Sequence, residues 1–452
     1  MKKALFIEVF LLINATLGYV NLYAEDKANS YVIDQVIYEI IDGNTSEHAL
    51  RALSKLESGM VFPDYASLVQ MVENEKQALI NRRYFHKVSA DIKKTFTTDS
   101  DNTDSTIQRY SVTFTIVDAF TITPIPYPKY DSNTGLRLGM KLYWDNFLGS
   151  MTDAYLGTNM DIRLDEASTK KRIGEWNIVT SISGIRFYKG VLLSASLSQS
   201  HKEEDFVDSV DPTNSYSFTY DSTEAKLSTS FDLRKSRAYT VSLGTVFRYN
   251  YQGELGSHPK YLNSLLPTHG FNFARLDWIN NFREGFSTGI SNNFSFGTDA
   301  NNEFLFSTSI NISGSYYKTL WKRFNFYTRA MTFYQWGEPR RIASSLRGVR
   351  NNLMSGYTGA VLNTSLAFMF WRFEDVWDAQ IHPFVDIGIV YNNESFDAVR
   401  DFNVGGGFDL VLFLDALPSL VARGSVGIDA RRFDSSDLFA SLEISITSTL
   451  HY

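Results

Sequence analysis

A loop arginine and a strand aspartate are the two side chains of this sequence best suited to hold each other. The arginine is Arg347, in the loop segment 345–350 between two aromatic segments that read as strands. The aspartate is Asp386, in the later segment 384–388. On an alternating strand, Phe384, Asp386 and Gly388 share one face, and aliphatic residues occupy the other. This arrangement suggests a charged loop folded into the interior of a barrel.

The strands that must position this pair are indicated by a period of two in the second part of the chain. In segment 136–145, for example, apolar residues at even positions alternate with polar or small residues at odd positions. No helices are available to cover the apolar faces, and a closed barrel in lipid satisfies such strands because no edge remains unpaired. We therefore predict a 16-stranded antiparallel transmembrane β-barrel over residues 134–452. The sixteen strands are predicted at 135–146, 152–164, 174–187, 190–201, 222–233, 237–251, 271–283, 285–297, 304–317, 322–336, 338–345, 359–372, 380–392, 402–414, 419–431 and 438–452.

The composition agrees with such a barrel. The 452 residues include 25 Tyr and 34 Phe, charged residues make up 21%, and the mean hydropathy is −0.19. A helical membrane protein is disfavoured because no later stretch offers a continuous apolar span, although a soluble β-protein could share this composition. The absence of Cys excludes disulfides and thiol nucleophiles. The net charge of −7 argues against a nucleic-acid partner.

The N-terminal part predicts three shorter regions. Residues 1–24 have the basic start and short apolar core of a secretory signal peptide. Residues 28–120 predict a small α+β domain with the order β-α-α-β-β, in which apolar residues fall on one face of each helix. Residues 121–133 predict a stiff linker, because Pro124, Pro126 and Pro128 fall within it.

The order β-α-α-β-β resembles a POTRA domain, the periplasmic module attached to outer-membrane assembly barrels. Segments 59–62 and 81–85, before and after the second helix, look like that family too. Any other small α+β domain would share the order of elements. One such unit fits between Ala24 and Pro126.

Nearly all of the remaining chain resembles the BamA/TamA superfamily of outer-membrane assembly and translocation barrels. Segments 130–135 and 145–150 look like the first barrel hairpin of that family, and 346–349 lies where the family has its Val-Arg-Gly-Phe/Tyr loop. Segment 384–388 lies in the second strand after the loop, as in the family. The last strand resembles the C-terminal signal of bacterial outer-membrane proteins, which here comprises Ile444, Ile446, Leu450 and Tyr452.

The resemblance implies roles for the residues of the loop and its strand. Arg347 would pair with Asp386 and stack near Phe384, Gly348 would allow a sharp turn, and Gly388 would face the lumen beside them. Two residues depart from the family pattern. Val349 replaces an aromatic residue, and Ala367 stands where the family usually has Glu, so that one expected partner of Arg347 is missing.

Other residues offer weaker chemistry. His258 and His269 lie in a Pro-containing segment without a carboxylate pattern, which favours a solvated loop over a metal site. The acidic run 99–104 lacks the glycine and terminal glutamate of a calcium loop. No motif places catalytic residues together, so we predict neither an enzyme nor a cofactor or metal site.

The resemblance implies a bacterial outer-membrane barrel, with its N-terminal domain in the periplasm, that assists folding and insertion of outer-membrane β-barrel proteins. Its partners would be unfolded outer-membrane proteins and outer-membrane lipid, with periplasmic chaperones or lipoproteins as further candidates. Two alternatives remain open at this stage. They are a secretion pore that exports a partner polypeptide, for which two POTRA units are usual, and a passive porin-like channel.

Overall fold

The described part of the chain covers most of the N-terminal region and of the alternating strands. The segment 1–24, predicted to be a signal peptide, lies outside it, as do the acidic run 99–104, His258 and Tyr452. The computed structural model describes residues 30–95, 107–119, 121–126, 129–131, 135–162, 173–188, 190–207, 215–233, 236–253, 263–298, 303–337, 340–342, 345–349, 354–374, 376–392, 396, 401–430 and 442–450.

A small α+β region opens the described chain. Its order is the predicted one, with a two-residue strand added between the helices. Its four strands form one sheet, in which the second strand in the chain lies at one edge and is followed by the first, the fourth and the third. Among the described residues, no helix is long and apolar enough to cross a membrane. The elements are β1 (Tyr31–Ile41), α1 (Glu47–Leu53), β2 (Val61–Phe62), α2 (Tyr65–Asn81), β3 (Phe85–Lys94) and β4 (Gln108–Asp118).

The chain forms two compact units. The first comprises Met1–Ile37, Leu56–Asn74 and Ala90–Thr113, and the second comprises Tyr38–Lys55, Glu75–Ser89 and Phe114–Tyr452. In the first unit Ile33, Leu68, Val72 and Val112 are almost fully buried. Burial of such aliphatic side chains is the main favourable contribution to the folding of this unit.

The second unit contains a large, entirely antiparallel sheet. Fifteen of its strands have nine or more residues, and two are short. The strands are β5 (Ile122–Pro126), β6 (Lys129–Asp131), β7 (Gly135–Trp144), β8 (Asp153–Ile162), β9 (Ile173–Tyr188), β10 (Val191–Val207), β11 (Ser215–Leu233), β12 (Arg237–Gly253), β13 (Asn263–Ile279), β14 (Phe282–Thr298), β15 (Phe304–Trp321), β16 (Phe324–Trp336), β19 (Thr358–Phe373), β20 (Trp377–Tyr391), β21 (Phe402–Leu414), β22 (Leu417–Asp429) and β23 (Leu442–Leu450).

These strands pair in chain order, and β23 lies beside the short strands that precede β7, so that the pairing order is that of a closed barrel. Fifteen of the sixteen predicted strands correspond to the fifteen long strands. The mostly-β, antiparallel part of the predicted fold class is therefore confirmed, whereas the predicted set of sixteen strands is not.

The predicted strand at 338–345 is wrong. Among its described residues, 340–342 and 345, the structure has the two-residue strand β17 (Arg340–Arg341), which pairs with β18 (Ser355–Gly356) in a separate small sheet. Strand β16 pairs directly with β19, from Phe324↔Phe368 to Tyr334↔Thr358. The residues between these two strands are therefore not part of the barrel sheet. The segment between these two strands is therefore a long insertion, and it contains Arg347.

The predicted linker 121–133 also needs correction, because most of its described residues are paired with β7. Strand β5 pairs with β7 from Ile122↔Trp144 to Pro126↔Met140, and β6 continues that pairing. Pro124 and Pro126 are two residues apart and both exposed, whereas Ile125 between them is buried. An antiparallel strand hydrogen-bonds each neighbour through alternate residues, so prolines at this spacing are compatible with pairing to one neighbour.

Candidate functional site

The residues 345–349, called here the arginine loop, lie against the inner face of the barrel. The backbone N–H of Ser345 donates to the carbonyl of Ile342, and that of Ile342 donates to Met354 at 3.0 Å. The Asn363 side chain, from β19, donates to the carbonyl of Ser345 at 2.9 Å. Both the chain before the loop and the adjacent barrel strand therefore hold its first residue.

An apolar cluster anchors the loop. Leu346 and Val349 are at most 4% exposed, and they pack between the chain that flanks the loop and the barrel strands β16, β19 and β20. Burial of two aliphatic side chains stabilises the inserted loop by about 3–6 kcal/mol. The cluster consists of Phe333, Ile342, Leu346, Val349, Met354, Val361 and Val390.

Arg347 lies at the centre of the polar contacts. Its Nε and Nη2 donate to the two carboxylate oxygens of Asp386 at 2.9 and 2.7 Å, and its backbone N–H donates to the same carboxylate at 2.8 Å. Its Nη1 donates to Asp409 at 2.9 Å, and Nη2 also donates to the Ser365 hydroxyl at 3.0 Å. Both carboxylates are fully buried. A planar guanidinium is suited to such a forked arrangement, which a lysine could not reproduce.

The charge of Arg347 is preserved in this environment. Burial alone lowers the pKa of its guanidinium, but the hydrogen bonds to Asp386 and the negative charges nearby outweigh burial and raise that pKa. The guanidinium carbon also lies 3.9 Å from the centroid of the Phe384 ring, within cation–π range.

The alternation of side chains along β20 explains why Phe384 and Asp386 point to the inside of the barrel, toward Arg347. Phe384 and Asp386 are 4% and 0% exposed, whereas Val385 between them is 51% exposed. Asp409 occupies the equivalent phase of β21, flanked by the exposed Phe408 and Leu410. The two carboxylates are therefore brought together by neighbouring strands, since Asp386 pairs with Gly405 and Asp409 lies four residues further along β21.

Glycines make room for the loop on three adjacent strands. A Cβ on Gly388 would lie 2.6 Å from Leu346, and one on Gly405 would overlap the carbonyl oxygen of Arg347. A Cβ on Gly427 would lie 2.7 Å from the Cα of Gly348. Gly348 itself has φ of +77°, a conformation that side chains rarely adopt. The loop backbone thus approaches the barrel wall more closely than any other residue type would permit.

All five residues predicted for the lumen, Arg347, Gly348, Phe384, Asp386 and Gly388, are brought together here. The sequence analysis missed three others: Asp409, Ser365 and Gly405. A signal for Asp409 existed, because an acidic residue between Phe408 and Leu410 must occupy the inner phase of its strand. The run Gly405 to Gly407 was a second signal, since glycines in a strand interior mark a close approach of backbone.

Solved structures with a similar fold include three bacterial proteins. "The crystal structure of BamA from Haemophilus ducreyi lacking POTRA domains 1-3" has a TM-score of 0.50 at 15% identity, over 93% of this chain and 85% of that one. CdiB from Acinetobacter baumannii has 0.58 at 14%, over 94% and 74%, and CdiB from Escherichia coli has 0.52 at 13%, over 96% and 93%. This chain has the BamA/CdiB barrel fold. No protein-family model matches the sequence, and no curated protein matches it significantly.

Within this BamA/CdiB fold, the two departures from the expected pattern have structural counterparts. Val349, which replaces an aromatic residue, is 3% exposed in the apolar cluster. Ala367, which replaces a glutamate, packs with Phe282 and Met369. The carboxylate that Ala367 cannot provide has a substitute, because Asp409 supplies a second acidic partner to Arg347.

The predicted C-terminal signal lies partly on the last strand of the barrel. Ile444, Ile446 and Leu450 fall within β23, where they pair with Val426, Gly424 and Leu420 of β22. Tyr452 lies outside the described residues. The recognition role of this strand stays a prediction.

Of the weaker candidates, only His269 lies in the described part of the chain, on β13. His269 stacks on Phe294, with ring centroids 6.2 Å apart. In the part of the chain that the structure describes, no group of three or more His, Cys, Asp or Glu could hold a metal ion.

A second set of contacts lies at the turn between β13 and β14. The Arg83 guanidinium, just after α2, lies 4.5 Å from the ring centroid of Trp278 and donates to Asn281 at 3.1 Å. Asn81 donates to Asp277 at 3.0 Å. These residues were not predicted, because they are joined only by the tertiary fold.

Proposed function

We propose that this protein is an outer-membrane barrel of the BamA/TamA superfamily that assists the folding and insertion of outer-membrane β-barrel proteins. The observation that carries the proposal is the arginine loop, held against the inner barrel wall by Arg347 and Asp386, with five strands still to follow. A passive channel has no need of a loop fixed by a buried ion pair. The similarity to BamA supports the same proposal.

A membrane location is supported by the outer face of the barrel. Met140, Leu227, Val385 and Phe408 are among many large apolar side chains that are exposed there. Trp321, Trp336 and Trp371, at or near strand ends, are also exposed. Aromatic residues concentrated at strand ends on an apolar band are typical of outer-membrane barrels, because they fit the lipid–water interface.

The small α+β region would act in the periplasm as a POTRA-like domain. Strand β3 stands at one edge of its sheet, and an unfolded outer-membrane protein could add a strand to that edge through backbone hydrogen bonds. A photo-crosslinking residue at Asp91, which is exposed on β3, tests this role. We expect crosslinks to unfolded outer-membrane proteins from Asp91 and none from the exposed position Glu73 on α2, whereas equal crosslinking would contradict capture at the edge.

A secretion pore is the second candidate function. It is favoured by the similarity to two CdiB barrels, whose TM-scores of 0.58 and 0.52 are at least equal to that of BamA. In this reading the arginine loop is a plug that must be displaced before a partner polypeptide can pass through the lumen.

Depletion of the protein, followed by quantitative profiling of the outer membrane, distinguishes these functions. We expect many barrel proteins to fall together while their unfolded forms accumulate in the periplasm. Loss of a single secreted or surface protein would instead identify an exporter. Re-expression of the Arg347→Ala variant in the depleted strain, with Arg248→Ala as the matched control, tests whether the loop contributes to the activity.

A further inference from the structure

A cavity of about 450 Å³ lies on the inner side of the barrel, next to the arginine loop. Its wall is formed by strands β13 to β16 and β19 to β22, and four guanidinium groups line it. They belong to Arg283, Arg329, Arg347 and Arg423. Such a volume is typical of small-molecule sites.

The positive charge of this cavity is only partly balanced. Asp386 and Asp409 offset Arg347, and the Nε of Arg423 approaches Asp409 no closer than 4.0 Å. Among the described residues, neither Arg283 nor Arg329 pairs with a carboxylate. The buried Nε of Arg423 has no hydrogen-bond partner among the residues that the structure describes. The cavity therefore presents guanidinium groups that an anion could satisfy.

A buried histidine adds a second polar group to the same wall. His382 is 6% exposed, and its Nε2 is hydrogen-bonded to the Oε1 of Gln380 at 2.9 Å. In the described part of the chain, its Nδ1 has no hydrogen-bond partner, although the residue lines the cavity. A buried polar atom without a hydrogen bond is unfavourable, so a polar ligand atom in the cavity would relieve this cost.

Aromatic side chains complete the lining. Trp278, Tyr317, Tyr327 and Phe413 contribute to the wall, and the Arg283 guanidinium lies 4.8 Å from the Trp278 ring centroid. We propose that this cavity binds a small organic anion, and that an aromatic carboxylate is the best chemical match. Guanidinium groups would hold the carboxylate, and the aromatic walls would pack on the ring.

Binding would act on the arginine loop, because Ser345 and Arg347 form part of the wall. A ligand that contacts the inserted loop stabilises that position relative to any displaced one. Only residues of the barrel and the arginine loop form the cavity. Anion binding there does not require the proposed assembly function, and each can be tested without the other.

Calorimetric titration of the full chain, refolded in detergent, tests the proposal with three probes: benzoate, the neutral benzamide and inorganic phosphate. We expect benzoate to bind with one site per chain and benzamide to bind at least about tenfold more weakly, as expected when one charge-assisted hydrogen bond is lost. The Arg329→Gln and Arg423→Gln variants should each weaken benzoate binding about tenfold. Arg248→Gln, a matched change outside the cavity lining, should leave it unchanged.

Three results would overturn the proposal. They are no binding of benzoate, equal binding of benzoate and benzamide, and equal affinity in the wild type and both cavity variants. Tighter binding of phosphate than of benzoate would overturn the assignment of an aromatic ligand. Circular dichroism and heat-dependent gel migration verify that each variant is folded. Arg329 is the safer site because its guanidinium makes no hydrogen bond or ion pair with the described residues.

Discussion

One carboxylate, that of Asp386, holds both the backbone and the side chain of Arg347. It accepts the Arg347 backbone N–H at 2.8 Å and the Nε and Nη2 groups at 2.9 and 2.7 Å. The carboxylate is fully buried on β20, while the arginine belongs to the loop. The position and the orientation of the loop residue are therefore fixed by the same strand.

Replacing Arg347 with alanine should release the arginine loop while the barrel still forms. The change leaves two buried carboxylates without their partner, a loss that typically costs about 3–5 kcal/mol. We expect faster cleavage of segment 338–354 by a protease added to the detergent-refolded protein. Arg248→Ala serves as the matched control, and a loop that stays as protected as in the wild type would show that the ion pair does not hold it.

Asp409 should contribute less than Asp386. Asp386→Asn weakens three hydrogen bonds from Arg347, whereas Asp409→Asn weakens the single one at 2.9 Å. Since a hydrogen bond to a charged group contributes about 1.5–3 kcal/mol, we expect the Asp386 variant to lose loop protection at a clearly lower urea concentration. The reverse order in the same proteolysis assay would mean that Asp409 is the principal partner.

Two adjacent glycines provide a sharp test of how the loop fits the wall. A Cβ on Gly405 would overlap the carbonyl oxygen of Arg347, whereas the nearest atom to a Cβ on Gly406 is the Phe384 carbonyl oxygen at 3.9 Å. Gly405→Ala should therefore displace the loop, and Gly406→Ala should be tolerated. Proteolysis or a spin label in the loop reports the difference. Equal loop protection in both variants would contradict the close approach of the Arg347 carbonyl to Gly405.

Glu75 should make the stability of the N-terminal region depend on pH. Burial raises the pKa of its carboxyl, so the folded state favours the protonated form. The free energy of unfolding is therefore highest below the pKa that Glu75 has in the unfolded state. It falls as the pH rises through the higher pKa of Glu75 in the folded state. Glu75→Gln should thus slow hydrogen exchange in α2 at about pH 8 and change it little at about pH 4.

The control for this prediction is Glu73→Gln, an exposed change on the same helix. It should alter exchange in α2 equally little at both pH values. Exchange rates corrected for their intrinsic pH dependence are compared, and a Glu75→Gln variant that exchanges faster than the wild type at high pH would refute the effect of burial.

The strands of the barrel were largely predictable from the sequence. Successive residues of a strand point to opposite faces, so a strand between two different environments alternates in polarity along its sequence. This period of two made the fifteen long strands recognisable. The segment 338–345 misled because its partner is not a barrel strand: Arg340 and Arg341 pair with Gly356 and Ser355, beyond the arginine loop. The proline-rich segment 121–133 was predicted to be a linker because proline lacks a backbone N–H. It can still pair with β7 because an antiparallel neighbour uses the N–H groups of alternate residues only.

The sequence by itself determined the alternation of β20, and with it the inward direction of Phe384, Asp386 and Gly388. Only the tertiary structure decided that Asp409, on the adjacent strand β21, would give Arg347 a second carboxylate partner. The same holds for Gly405 and Gly427, which gain their role from a loop distant in sequence. Side-chain direction is a local property of the backbone, whereas partners across a barrel depend on strand order and register, which are set by the packing of the whole sheet.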